Sequence, residues 1–365
     1  MSPRCLFIAE AGVNHNGSRD LALRLVDAAA DAGADVVKFQ TFQAADLVTA
    51  HARKADYQVA NTGEAGAQLQ MLQRLQLSHE DHHALAARCR ERGVRFMSTA
   101  FDETSLAFLA TLDMPAVKVP SGDITHAPLL LQAARLGRPL IVSTGMSTLA
   151  DIEAALAVIA FGLTRPGLPG GHAECETARL SAEGQAALRE RVTLLHCVTQ
   201  YPAPPEAVNL RAMDTLAQAF GLPVGYSDHT AGIEVALAAA ARGATVIEKH
   251  YTLDRTLPGP DHVASLEPGE LRQLVAGVRA IAAALGSPIK APAPAEFGNR
   301  TIARRAIVAA RTIRRGEILT LPALAFKRPA QGHTPMDVWS LLGQSATRDY
   351  AADEAIDQPA VRQVH

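Results

Sequence analysis

Eight times between residue 5 and about residue 286 a short apolar run is followed by an amphipathic stretch rich in alanine and leucine. The runs are CLFIAEAG, DVVKFQT, RFMSTAF, AVKVPSG, PLIVSTG, VTLLHCV, PVGYSDH and TVIEKHY. Apolar runs without alternation are the signature of strands buried on both faces, which occur in parallel sheets. Parallel strands need long crossovers, and here each crossover reads as a helix. SxxD at Ser78 and Asp81, and TxxD at Thr148 and Asp151, are capping boxes that mark two of the helix starts. Eight strand–helix units predict an α/β fold, a (β/α)8 TIM barrel over residues 1–286.

Two segments interrupt the repeat. Residues 44–77 follow the second strand and are expected to form a lid over the barrel mouth, whereas residues 164–190 precede the sixth strand and should be peripheral. The Pro-rich residues 287–300 predict an extended, semi-rigid linker. Residues 301–365 then suit a small, mostly β domain with turns at RRGE and PAQGHTP. A net charge of −2 provides no field for nucleic acid or acidic lipid, so an anionic ligand must be held by local charge. Cys5, Cys89, Cys175 and Cys197 lack CxxC spacing and read as free thiols, which places the chain in the reducing cytoplasm. Its longest apolar run, from Ala154 to Leu163, is far below the roughly 18 residues of a membrane helix, so no membrane partner is expected.

In such a barrel the chemistry sits at the C-terminal ends of the strands. Polar residues gather there: Glu10, Lys38, Gln40, Thr99, Lys118, Ser121, Ser143, Thr144, His196, Ser227 to His229 and Glu248 to His250. His229 and His250 stand 21 residues apart, one helix plus one strand. They should therefore occupy neighbouring strand ends about 5 Å apart, within reach of a single ion. Two imidazoles leave most coordination positions open, the arrangement of a catalytic site, and such ligands suit Mn²⁺, with Mg²⁺ or Co²⁺ as alternatives. Each histidine has a second reading as a hydrogen-bonding residue at a strand end.

Lys38 and Lys118 point toward the same mouth, and two buried lysines call for a doubly anionic ligand or a Schiff-base nucleophile. Hydroxyls at Thr99, Ser121, Ser143 and Ser227 suit phosphate and carboxylate, or alternatively cap the helices that follow. Glu10 is either a catalytic carboxylate or a loop anchor. His196 and Cys197 are adjacent and so face opposite ways, which argues against a Cys/His nucleophile pair. His79, His82 and His83, at a helix start, read as solvated surface.

FIAEAGVNHNG, ADVVKFQT, VKVPSGD, LIVSTGM, LLHCVTQYPAP, VGYSDHTAG, IEKHYTLDRTLPGPDH and GEILTLPALAFKRPAQG resemble the sialic acid synthase family, in order and across nearly the whole chain. The resemblance implies a barrel followed by an antifreeze-like β-clip (SAF) domain. It also implies metal-dependent condensation of phosphoenolpyruvate with an open-chain N-acetylmannosamine-type sugar, giving N-acetylneuraminate or a similar nine-carbon acid plus phosphate. On this resemblance Glu10 is catalytic and His229 and His250 bind the metal. Lys38, Thr99, Lys118, Ser121, Ser143 and Ser227 bind phosphoenolpyruvate, and Gln40, Asp123, Tyr201 and Asp261 bind the sugar. Arg328 corresponds to an arginine that reaches the neighbouring subunit's site in a domain-swapped homodimer, and the length of the 287–300 linker allows either that exchange or an intrachain arrangement.

Three departures surround the sugar pocket: SGD in place of SGE puts a shorter carboxylate at Asp123, Thr199 stands where asparagine is usual, and KRPA replaces KRPG beside Arg328. The 164–190 insertion resembles the branch that makes sialic-acid-like sugars such as legionaminate, the alternative product. Two readings compete with the synthase: a Schiff-base aldolase using Lys38 or Lys118, and a non-catalytic sugar-binding protein of polysaccharide assembly.

Overall fold

The structure is a computed structural model that describes residues 5–62 and 67–359. The chain divides into two compact units at Gly286/Ser287. In the first, β1 (Leu6–Gly12), β2 (Val36–Thr41), β3 (Arg95–Ala100), β4 (Val117–Val119), β5 (Leu140–Ser143), β6 (Val192–Cys197), β7 (Val224–Asp228) and β8 (Val246–His250) close in sequential order into a parallel barrel. All eight anticipated strands are present. β8 returns to β1 with Glu10 level with His250, so the first and last strand ends meet at the mouth.

The runs do not alternate because both strand faces are buried. Odd-numbered positions of β2 (Val37, Phe39) face the surrounding helices, and even-numbered ones (Lys38, Gln40) face the barrel axis. Both predicted capping boxes are formed: Ser78 Oγ accepts from Asp81 N at 3.1 Å and Thr148 Oγ1 from Asp151 N at 3.3 Å. Among the described residues no helix is long and apolar enough to cross a membrane.

The first excursion carries helices Ala44–Leu47, Asp56–Thr62 and Gln68–Leu75. Met71, Leu72 and Leu75 pack with Val13, Phe42 and Ala44 in an apolar cluster at the mouth, and Asn61 Nδ2 donates to Pro260 O at 2.6 Å. The excursion thus covers the C-terminal side of the barrel, as expected of a lid. The second becomes helices His172–Leu180 and Ala182–Arg191, which bury Cys175 and Ala178 against Phe161 and Ala157, outside the barrel.

Two expectations fail. His82 is fully buried: its Nε2 bonds Thr41 Oγ1 at 2.7 Å and its Nδ1 bonds Ser78 O at 2.8 Å, because its helix turns this position onto β2 and β3. The linker is not extended throughout. Pro294–Glu296 forms a 3₁₀ turn leading into the helix Phe297–Ala303, with Pro294 preset for a helix start and Glu296 accepting from Ala293 N at 2.7 Å.

The second unit has its own core, including Ile307, Ile313, Leu319, Leu341, Tyr350 and Ile356. It contains one antiparallel pair, β9 (Ala306–Ala309) with β10 (Leu324–Lys327), and several isolated bridges. Turns fall at Arg314–Glu317, where Gly316 has φ +85°, and at Gly332 with φ +91°, inside the RRGE and PAQGHTP segments.

Candidate active site

The barrel mouth opens into a cavity of about 370 Å³ whose floor is charged and whose outer wall is apolar. Glu10, Lys38, Gln40, Thr99, Lys118, Ser121, Ser143, Tyr201, Ser227, His229, His250 and Asp261 all face it. Residues from all eight strands or the turns just beyond them converge, Cys197 coming from β6, because side chains two apart on a strand share its inner face.

Lys38 Nζ lies 2.7 Å from Glu10 Oε2 and donates to Thr99 Oγ1 at 2.9 Å. Glu248, placed at its strand end by the sequence but given no role there, sits between the lysines, 3.5 Å from Lys38 Nζ and 3.3 Å from Lys118 Nζ, and accepts from Ser227 Oγ at 2.8 Å. Its sequence signal was parity: two residues before His250, it must share that residue's face. Burial raises the Glu10 carboxyl to about 7, with Lys38 only partly opposing. Burial works against the Glu248 anion too, but Lys118 and Lys38 outweigh it and hold Glu248 below the usual carboxylate range. Burial lowers the Lys118 ammonium, while at Lys38 the Glu10 and Glu248 carboxylates overcome burial and raise it. Two lysines and two carboxylates balance until a ligand brings its own negative charge.

The hydroxyls are not helix caps. Asp102 caps the helix after β3 and Thr148 the helix after β5, which leaves Thr99 and Ser143 to the cavity. Ser143 Oγ is buried with no partner, as is Thr199 Oγ1 on the same wall. Ser121 lies beyond the end of β4, in the 3₁₀ turn Ser121–Asp123, where its Oγ accepts from Gly145 N at 3.0 Å and lies 3.0 Å from Cys197 Sγ. Cys197 lines the cavity, whereas His196 turns outward to Val208 O at 2.6 Å, the opposite orientations expected.

Burial lowers His229 to about 4 and, with the neighbouring His229 adding to burial, His250 well below its ordinary value, so both imidazoles are neutral. Their ring centroids are 5.5 Å apart. A cation bonded at roughly 2 Å to each of two ring nitrogens holds those nitrogens no more than about 4 Å apart, which is compatible with ring centroids 5.5 Å apart. His229 Nδ1 is engaged with Val198 O at 2.6 Å, leaving Nε2 toward Ser227 and the cavity. His250 Nδ1 is buried without a partner. It faces Gly12, where φ is +54° and a Cβ would lie 3.2 Å away. A neutral pair with an orphaned nitrogen fits a divalent cation. Among the described residues no group of three or more His, Cys, Asp or Glu could hold an ion, so the rest of its shell would come from water and ligand oxygens.

Around the histidines, the Tyr201 ring lies 4.1 Å from His229 and 5.6 Å from His250. Gln40 Nε2 donates to Glu10 Oε1 at 3.4 Å. Asp261 is buried, which raises it to about 6. Asp123 is not on the cavity wall: the chain leaves β4 at Pro120 into a tight turn, so strand alternation no longer aims it inward. Its buried Oδ2 has no partner, and burial raises the carboxyl to about 6. Thr144, Asp228 and Lys249 also lie outside the cavity, on the helix-facing side of their strands. Arg328 is exposed in the second unit.

The outer wall is built from Phe42, Leu47, Val48, Met71, Leu72 and Phe101, most of them contributed by the lid segment.

A model of the NeuB family matches residues 25–290, and one of the SAF domain matches residues 304–362. N,N'-diacetyllegionaminic acid synthase of Campylobacter jejuni is 45% identical over 97% of this chain and 99% of its own. The protein of the same name from Legionella pneumophila is 42% identical, covering 96% of this chain and 93% of its own. The crystal structure of an N-acetylneuraminic acid synthetase from Leptospira borgpetersenii in complex with citrate superposes with a TM-score of 0.65 at 33% identity, over 81% of this chain and 90% of that one.

Proposed function

The chain belongs to the NeuB family, and on that premise we propose that it condenses phosphoenolpyruvate with an open-chain, N-acetylated mannose-type sugar to give a nine-carbon 2-keto acid and phosphate. The observation that carries this reading is the pairing, in one cavity, of two buried lysines with two neutral imidazoles. The lysines suit a compact dianion and the imidazoles suit a divalent ion, Mn²⁺ in this reading.

Lys38 and Lys118 receive the phosphate and carboxylate of phosphoenolpyruvate, and the hydroxyls of Thr99, Ser121, Ser143 and Ser227 donate around them. A divalent ion held by His229 and His250 supplies Lewis-acid polarisation of the sugar aldehyde. The methylene carbon of phosphoenolpyruvate forms the new bond to that aldehyde carbon as the carbonyl pair withdraws onto the aldehyde oxygen, which takes up one proton to become a hydroxyl. The adjacent carbon, left electron-poor, takes up water, whose lost proton balances the one gained. Glu10, with its carboxyl near neutrality, accepts the proton of that water. Collapse of the resulting tetrahedral centre breaks its bond to the phosphate oxygen, and the two lysines steady the departing charge. Glu248 keeps both ammonium groups aimed at the floor. Arg328 acting from a second copy of the chain belongs to the same reading.

For the acceptor, a 2,4-diacetamido-6-deoxy sugar fits better than N-acetylmannosamine. It exchanges hydroxyls for a methyl and a second acetamide, and the wall facing the cavity is apolar at Leu47, Val48, Met71 and Leu72. The identity of 45% with a diacetyllegionaminate synthase points the same way.

Phosphate release from phosphoenolpyruvate with Mn²⁺, assayed against both acceptors, tests the proposal. The expected result is release with both and a higher kcat/KM for the diacetamido sugar. Release with neither would contradict the synthase reading and favour a non-catalytic sugar binder. Trapping of a pyruvate adduct by borohydride, together with indifference to EDTA, would favour the Schiff-base reading.

A further inference from the structure

Behind the two histidines, on the helix-facing side of β7 and β8, lies an ion pair with no solvent exposure at all: Lys249 Nζ and Asp228 Oδ2, 2.8 Å apart. A wholly buried pair is a poor source of stability, because desolvation of both ions offsets their attraction. Its placement suggests another role. Asp228 immediately precedes His229 and Lys249 immediately precedes His250, and the two are direct partners in the β7–β8 register. Lys249 Nζ also donates to Thr230 O at 2.5 Å. One ammonium on the residue before His250 therefore grips the residues on both sides of His229.

The grip is braced from the other side. Asp228 Oδ1 accepts from Thr230 N at 2.9 Å, Thr230 Oγ1 at 2.8 Å and Tyr226 OH at 3.2 Å, so the carboxylate is saturated and the chain after His229 is folded back onto it. Beyond the strand, His229 O accepts from Ala203 N at 2.8 Å. The backbone carrying His229 is thus tied on both flanks to the backbone carrying His250, while both rings project to the opposite face.

We propose that Asp228 and Lys249 are positioning residues for the metal: their ion pair, extended to Thr230, fixes the separation of the His229 and His250 rings at a distance one divalent ion can bridge. The inference rests on the metal-dependent reading above. Neither side chain lines the cavity, so the effect is expected in metal affinity rather than in phosphoenolpyruvate binding.

The test is direct Mn²⁺ titration of the full chain, following free Mn²⁺ by electron paramagnetic resonance, with circular dichroism and thermal melting to monitor the fold. The double variant Asp228→Asn/Lys249→Met removes both charges at nearly constant volume and leaves no unpaired buried ion. Outer-shell partners of metal ligands commonly matter by about 10- to 100-fold in affinity, and a weakening of that order is expected here in a protein that still melts cooperatively and still binds phosphoenolpyruvate. Wild-type Mn²⁺ affinity in the folded double variant would overturn the proposal. If the double variant does not fold, Asp228→Asn/Lys249→Gln, which also leaves no unpaired buried ion and keeps a polar partner for the Thr230 carbonyl, is judged by the same criterion. Failure of the wild-type protein to bind Mn²⁺ is a different result, which would remove the metal reading itself and the positioning role with it.

Discussion

His250→Ala is expected to lower kcat/KM for the condensation by about a thousandfold or more, equivalent to ~4 kcal/mol of transition-state stabilisation. The change deletes one of only two protein ligands available to the ion, in a site where no third His, Cys, Asp or Glu among the described residues can compensate. The fold should survive. His250 lies at the cavity end of β8 and its Nδ1 makes no protein hydrogen bond, while the barrel core beneath it, including Ile8, Ile247 and Phe7, is unchanged. Loss of turnover should therefore accompany weakened Mn²⁺ binding and an essentially unchanged melting temperature. Phosphate release measured beside a Mn²⁺ titration checks both, and full activity in the variant would refute the ligand assignment.

Glu10→Gln should cost roughly 10²- to 10⁴-fold in kcat, the usual value of a positioned acid or base. Glutamine preserves the shape and the contact with Gln40 but cannot accept a proton. Lys38 loses its partner at 2.7 Å yet keeps Thr99 and the Glu248 carboxylate, so the phosphoenolpyruvate floor remains in place. Removing a negative charge from that floor should leave phosphoenolpyruvate affinity unchanged or tighter. A variant with normal kcat and raised KM would instead make Glu10 a binding group. These two substitutions separate the electrophilic side of the proposed reaction from its proton chemistry, since one acts through the metal and the other does not.

The barrel could be read from sequence because its strands are buried on both faces, and a doubly buried strand is apolar from end to end. The site was legible for a related reason: only functional residues justify interrupting such runs with charge at their C-terminal ends, as Lys38, Lys118 and Glu10 do. What sequence left open was which way a polar residue faces. Asp228 and Lys249 stand among the strand-end residues in sequence, yet parity sends them behind the barrel, and the same parity brings Glu248 in with His250. Where the chain leaves a strand, parity itself lapses, which is why Asp123 falls off the cavity wall while Ser121 stays on it. His82 was misplaced because a histidine at a helix start looks solvated unless the face toward β2 and β3 is known. The helix Phe297–Ala303 was hidden by the prolines that precede it, one of which sits at a helix start rather than in extended chain. The apolar outer wall of the cavity comes mainly from the lid, whose leucines and methionine read equally well as the core of a short helical excursion.

All of the proposed chemistry depends on one ion held between the imidazoles of strands seven and eight. Anomalous diffraction from crystals of the protein grown with Mn²⁺ addresses this directly. The account predicts a single strong peak at the barrel mouth, bonded to one ring nitrogen of His229 and one of His250, above the Lys38 and Lys118 floor. A peak attached to only one of the two rings, or to a different part of the chain, would contradict it.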